Sequence, residues 1–230
     1  MLHCPVVKRL VIAVDGPSGA GKGTVARAVA RALDYRHVDT GAMYRAVAWQ
    51  VAQSLLPRLD RHGDAARIAR EATFDMREGR ISINGHDVTS AIRTPDIDKA
   101  AAMVARDPAV REVLVERQRT LGRDGGVVME GRDIGTVVFP AADVKIYLDA
   151  SPQERARRRA TDVAHTGGTA ADVAHVAEDL AARDKSDSTR SVAPLAQAAD
   201  ATYIDTTGMP VEEVVARVLT LVRDRCGAGG

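Results

Sequence analysis

Apolar and polar positions alternate along this chain in a way that predicts short buried strands separated by amphipathic helices. The run Leu10-Val11-Ile12-Ala13-Val14 predicts a buried strand. Val25, Ala28, Val29, Ala32 and Leu33 then recur at helical spacing, so a helix follows. Tyr35-Arg36-His37-Val38 reads as a second strand, closed by Asp39-Thr40-Gly41, which caps a helix starting near Ala42. Met43, Val47 and Val51, with Ala46 beside them, form that helix's apolar stripe. Pro57 to Asp64 is polar and predicts a loop.

Phe74 to Arg77 and Arg80 to Ile83 are short strand-like runs, Asn84-Gly85 is a hairpin turn, and His86-Asp87-Val88 returns. Thr94-Pro95 and Asp107-Pro108 each combine a capping side chain with proline at the first helical position. The second of these helices carries Val110, Val113 and Leu114 on one face, and Arg111, Val115 and Gln118 on another. Val127-Val128-Met129 and the run from Val144 to Leu148 predict two more strands. Ser151-Pro152-Gln153-Glu154 is a capping box opening an arginine-rich helix. Thr166-Gly167-Gly168-Thr169 predicts a mobile loop, and a further helix runs from about Ala171 to Asp184. Ala201 to Ile204 is the last strand. The last helix, opened by Pro210, has Val211, Val214, Val215, Val218, Leu219 and Val222 on its apolar face. Strands alternating with helices predict an α/β fold with a parallel sheet.

The connection after the first strand carries the strongest chemical signal. Gly16, Pro17, Ser18, Gly19, Ala20, Gly21, Lys22, Gly23 and Thr24 lie between strand and helix, the context of a phosphate-binding loop. Glycines let successive N–H groups converge on one anion, the helix start adds its positive dipole end, and Lys22 adds a full charge. Gly23 stands where most such loops have Ser or Thr directly after the lysine, and this variant resembles nucleoside-monophosphate kinases more than GTPases.

The bulk numbers narrow the classes further. The chain has 230 residues, 45% of them hydrophobic, and a formal net charge of +1. That suits one α/β domain with an insert, and it supplies no global field for nucleic acid or membrane. Aromatic residues are 3% of the chain, too few for a base-stacking platform. Cys4 and Cys226 give no disulfide framework, no signal peptide or spanning segment is visible, and a cytoplasmic protein is expected. The histidines share no metal-ligand spacing, so no resident metal is expected. No long apolar stripe or heptad run demands a partner, and a monomer is expected.

Four blocks together resemble one family. Gly16 to Thr24, Asp39 to Arg45 (DTGAMYR), Glu130 to Pro140 (EGRDIGTVVFP) and Arg190 to Leu195 (RSVAPL) look like the bacterial cytidylate kinases, nucleoside-monophosphate kinases of the P-loop class. The resemblance runs from about Leu10 to the last helix. It implies a kinase-type parallel sheet flanked by helices, with a core over 8–72 and 107–225. It also implies an inserted monophosphate-binding subdomain over 73–106 and a mobile lid at about 155–172. The implied activity is phosphorylation of CMP and dCMP by ATP with Mg²⁺. By the same resemblance, Thr40, Arg111, Arg132, Asp133, Arg183, Asp187 and Arg190 bind the monophosphate, Arg45 holds its phosphate, and Lys22, Arg45, Arg132, Arg158 and Arg159 serve transfer. Arg132 and Asp133 suit the cytosine edge, while Asp187 and Arg190 suit the sugar. Arg155 shares a face with Arg158 and Arg159 and is a further lid candidate. Glu130 ends its strand where an acidic residue would face Mg²⁺ through water or close the strand end, and Tyr44 would support the site.

The chemistry agrees with this reading. An ionised phosphate acceptor needs no strong base, only positioning and several converging cations. Alternatives are a kinase for UMP, AMP or shikimate, a nucleotide-dependent switch, and a nucleic-acid-binding ATPase. The switch is disfavoured because no Asn-Lys-x-Asp segment occurs late in the chain.

Overall fold

The computed structural model describes residues 9–53, 61–77, 79–162 and 172–227. Five apolar runs pair as a parallel sheet: β1 (Val11–Asp15), β2 (Arg36–Asp39), β6 (Val127–Glu130), β7 (Val144–Asp149) and β8 (Thr202–Asp205). Their order is β2-β6-β1-β7-β8. From β1 the chain moves first to one side of the sheet and later to the other. The carboxyl end of β1 is therefore a topological switch point, where open α/β sheets form ligand crevices.

Two apolar layers cover the sheet. On one face α1 (Lys22–Leu33) and α8 (Val211–Gly227) pack Val25, Val29, Val214, Val218 and Val222 on Ile12, Val14, Ile146 and Leu148. The buried face of α1 is Val25-Ala26-Val29-Ala30, while Ala32, expected on that face, is exposed. The phosphate loop sets this rotation by burying Lys22 one turn earlier. Val211, expected on the apolar face of α8, is 41% exposed.

The other face is covered by α2 (Thr40–Gln53), α3 (Arg61–Glu71), α4 (Pro95–Val104) and α5 (Pro108–Gly122). Helix α2 starts at Thr40, where Asp39 Oδ1 accepts the Ala42 N–H at 2.9 Å. Residues 61–64 belong to α3, which corrects the loop expected from Pro57 to Asp64; positions 57–60 lie outside the described residues. Ala65, Ala66, Ile68 and Ala69 are buried along α3, and small side chains let it sit close to its neighbours.

The segment over 73–106 holds β3 (Phe74–Arg77), β4 (Arg80–Ile83) and β5 (His86–Asp87), an antiparallel sheet closed by Asn84 and Gly85 at φ 52° and 81°. Thr94 and Asp107 cap α4 and α5 through their side chains, as their sequence predicts. Met76, Ile81, Ile83, Val88 and Ile92 share one continuous core with Val38, Met43 and Val47. This segment is thus joined to α2 by apolar packing.

After β7 come α6 (Pro152–Ala160) and α7 (Val173–Thr189). The expected turn at Thr166–Thr169 and half of the expected lid lie outside the described residues. Helix α7 continues five residues past Asp184, where the pattern predicted its end. That extension places Arg183, Asp187 and Arg190 one and two turns apart on one side. No helix among the described residues is long and apolar enough to cross a membrane.

One buried carboxylate joins β1 to the loop after β6. Asp15 is 5% exposed and accepts the N–H groups of Ile134 and Gly135 at 2.8 and 2.7 Å, opening a π-helical turn over Ile134–Val138. Burial raises its pKa to about 6, against the lowering effect of the two N–H groups. Asp15→Ala would orphan both donors, so a stability loss of about 2–4 kcal/mol is expected in urea denaturation. An unchanged midpoint would show that the turn holds itself.

Candidate active site

The glycine-rich loop crosses the carboxyl end of β1 in direct contact with β7. A Cβ on Gly16 would lie 1.9 Å from the Leu148 carbonyl oxygen, so only glycine fits there. Gly21 stands at the start of α1 with φ 88°, and no side chain caps that helix. Its first N–H groups are therefore available to an anion. Lys22 is 6% exposed and donates from Nζ to the Pro17 carbonyl at 2.7 Å. Burial, reinforced by the nearby Arg132 charge, lowers its pKa to about 7.

Across from the loop lies a chain of alternating charges. Asp133 takes a short hydrogen bond from Arg111 Nη2 and lies 3.6 Å from Arg190 Nη2. Arg190 Nη1 lies 3.8 Å from Asp187, which accepts Arg132 Nε at 2.9 Å. The order is Arg111, Asp133, Arg190, Asp187, Arg132. The side chains of Arg111 and Arg190 are only 3% and 4% exposed. Arg132 and Asp133, neighbours in sequence, thus face different partners. Burial lowers the Arg190 pKa, aided by Arg111; the Asp187 carboxylate lifts that of Arg132 in spite of burial. Against its own burial, Asp187 is held below the usual carboxylate range by Arg132, Arg183 and Arg190.

A second arginine group gathers around Asp39 and Asp98. Asp39 accepts Arg45 Nη2 at 2.9 Å. Asp98 on α4 accepts from Arg159 on α6 and lies 3.1 Å from Arg183 Nη1 on α7. Burial lowers the Arg159 pKa to about 10, and the Arg183 and Arg45 charges push the same way. Arg158 turns toward the loop: its Nη1 lies 3.6 Å from where a Cβ on Gly21 would sit, and it donates to Thr206 Oγ1 and the Thr206 carbonyl at 2.9 and 2.6 Å. Arg155, expected beside Arg158 and Arg159 as a lid cation, instead points inward to the phosphate loop, because its side chain is buried against Ala150 and Ser18.

Thr40 Oγ1 donates to the Glu130 carbonyl at 2.7 Å, which ties the start of α2 to the end of β6. Glu130 itself meets His37 Nε2 at 2.9 Å and lies beside Gly23. The Arg111 guanidinium stands 5.6 Å from the Tyr44 ring centroid. Burial raises the Tyr44 hydroxyl pKa to about 12.

A single cleft of about 760 Å³ is lined by residues 18–24 and by Thr40, Arg45, Arg111, Arg132, Asp133, Arg158, Arg159, Arg183, Asp187 and Arg190. Of the residues singled out in the sequence for the site, Gly16, Pro17 and Arg155 are absent from its lining. Sequence reasoning missed Arg93, Asp39, Thr206 and Met209, which also line it. Thr206 and Met209 follow the last strand at the same sheet edge as the loop, and that position was the available signal. Nothing in the local pattern marks Arg93 or Asp98. The arrangement can bind two polyanions end to end, one on the loop and one among the arginines.

The sequence model of the cytidylate kinase family matches residues 12–224. The chain is 47% identical over 227 residues to a cytidylate kinase from Solibacter usitatus, covering 96% of each. It is 48% identical over 216 residues to a cytidylate kinase from Pelotomaculum thermopropionicum, covering 92% of this chain and 95% of the relative. Among solved structures, a shikimate kinase from Acinetobacter baumannii in complex with shikimate superposes with a TM-score of 0.51 at 14% identity, covering 95% of both chains. That likeness supports the kinase-type sheet. Agreement with the family along almost the whole sequence, at close to half identity with its named members, makes this chain a member of the cytidylate kinase family.

Proposed function

We propose that this protein transfers the γ-phosphoryl group of ATP to CMP, and to dCMP, by direct in-line displacement. The observation that carries the reading is the pairing of Arg111 with Asp133 at the far end of the cleft that begins at Lys22. Cytosine presents an amino donor at N4 and acceptors at N3 and O2. Asp133 accepts from N4, and Arg111 rather than Arg132 donates to the ring acceptors, since Arg132 is turned to Asp187. Asp187 and Arg190 then face the sugar, and Thr40 fixes the wall beside the base.

The phosphate ends meet between the two arginine groups. Arg45, Arg132, Arg159 and Arg183 neutralise the acceptor phosphate, while Lys22, Arg158 and the N–H groups of Gly19 to Thr24 hold the donor phosphates. No general base is required, because the attacking oxygen is already ionised. The segment over 73–106 supplies the acceptor-side wall through Arg93 and α4. Mg²⁺ fits this site as a companion of ATP: it retains several waters, and the Glu130 carboxylate beside Gly23 would hold them. When bound, it adds charge neutralisation to the transferred group. We further propose that the protein acts as a monomer.

Three expectations test this reading. In a steady-state assay with Mg-ATP against CMP, dCMP, UMP, AMP and GMP, the two cytidylates should give diphosphate product fastest; failure of all five would remove the acceptor assignment. Asp133→Asn should lower kcat/KM for CMP by about 10- to 100-fold and narrow the gap to UMP, because the new amide donates to a uracil oxygen. Equal losses on both substrates would place the base elsewhere. Lys22, with a pKa lowered to about 7, is largely neutral at pH 8 until phosphate arrives and recharges it. ATP binding should therefore take up a proton at pH 8 and weaken as pH rises above 7. Calorimetry in buffers of different ionisation heat reads the uptake, and Lys22→Arg should abolish it.

A further inference from the structure

The phosphate loop is gripped at Ser18 by a largely buried ion pair. Ser18 N donates to Asp184 Oδ1 at 3.3 Å, and the Ser18 carbonyl accepts Arg155 Nη1 at 3.1 Å. Asp184 Oδ2 and Arg155 Nη1 are themselves joined by a short hydrogen bond, and Arg155 Nε donates to the Ala150 carbonyl at 3.1 Å. The side chains are 11% and 20% exposed for Arg155 and Asp184. On the next residue, a Cβ on Gly19 would lie 3.0 Å from both the Cβ and the carbonyl oxygen of Arg155. Both backbone polar groups of one loop residue, Ser18, are thus held from outside, by helices α6 and α7.

We infer that Arg155 and Asp184 are positioning residues that keep the loop in its nucleotide-accepting shape. The reason lies in Lys22. Its Nζ now donates to the Pro17 carbonyl, which shares a peptide unit with the Ser18 N–H held by Asp184. To reach donor phosphate it must leave that carbonyl, and the loop then loses an internal brace. The Arg155–Asp184 pair remains, because neither side chain lines the cleft. Preorganised donors of this kind need no rearrangement when the ligand arrives. Asp184 also adjoins Arg183 and precedes Asp187 by one turn on α7, so the grip sets the loop and the acceptor arginines in one frame. The inference rests on the loop being the ATP site.

Two variants test it. Asp184→Asn keeps an oxygen for Ser18 but turns an amide against Arg155. Arg155→Met combined with Asp184→Leu removes the pair without leaving a buried charge alone, and replacements of that kind often preserve stability. For each variant, KM for ATP, KM for CMP, direct ATP binding and Tm are measured. The expected result is a rise of about tenfold in KM for ATP, matched in direct binding, with KM for CMP within about twofold. Equal rises for both substrates, or unchanged ATP affinity in both variants, would overturn the inference. If wild-type protein itself does not bind ATP, the reading of the loop fails instead. Tight wild-type binding with equally tight variants removes only the positioning role.

Discussion

The constraint on which the rest depends is the crowding of buried arginines at one edge of the sheet. Arg111, Arg132, Arg183 and Arg190 converge there, and for Arg183 and Arg190 another arginine adds to the effect of burial in lowering the pKa. Two like charges 4 Å apart near a protein surface repel by about 4 kcal/mol. The chain answers by interleaving carboxylates. Asp133 and Asp187 alternate with the arginines at the far end, Asp98 lies between Arg159 and Arg183, and Asp39 meets Arg45. These pairs keep each cation charged, aimed and partly desolvated before any substrate arrives.

Holding that many polar side chains in place requires stiff supports. The extended end of α7 supplies Arg183 and Asp187, and its cap residue is Arg190. The π-helical turn after β6 stands directly behind Arg132 and Asp133, and Asp15 ties its first two N–H groups to the central strand. Helix α5 contributes Arg111 from a face that also buries Val110, Leu114 and Gln118. Each of these cleft side chains therefore leaves an element anchored in the core, and the apolar packing of residues 73–106 on α2 fixes the wall opposite.

How much of this was readable in the sequence follows from what each signal measures. Periodicity found the five strands of the parallel sheet and the antiparallel hairpin, because burial repeats along them. It missed α3, whose contact face is mostly alanine and whose start includes Gly63. It ended α7 at Asp184, because the next turn, Lys185-Ser186-Asp187-Ser188-Thr189, has no apolar residue to mark a buried face. That turn buries Asp187 against arginines instead. The motif blocks supplied about half of the residues lining the cleft, yet not the pairings. Adjacency suggested Arg132 with Asp133, whereas the turn of the chain gives each a partner tens of residues away. The inward course of Arg155 and the place of Asp98 are tertiary facts with no local signature.

Dense pairing also bears on how such a site distinguishes its ligands. A buried ion pair adds little net stability, since desolvation offsets most of the attraction. An arginine that exchanges a carboxylate for a phosphate oxygen therefore gives up little, and the acceptor phosphate enters without first breaking a strong structure. The end proposed for the base differs. Asp133 and Arg111 sit where almost no water reaches them, so a base that fails to match them leaves a charged group unsatisfied. For the proposed substrate the match is donor to carboxylate and acceptor to guanidinium. Uracil would set its own oxygen against Asp133, and that repulsion, more than any gain on cytosine, would carry the discrimination. On the proposed reading, the charges that the fold must neutralise in order to exist would be the same charges that reject the wrong base.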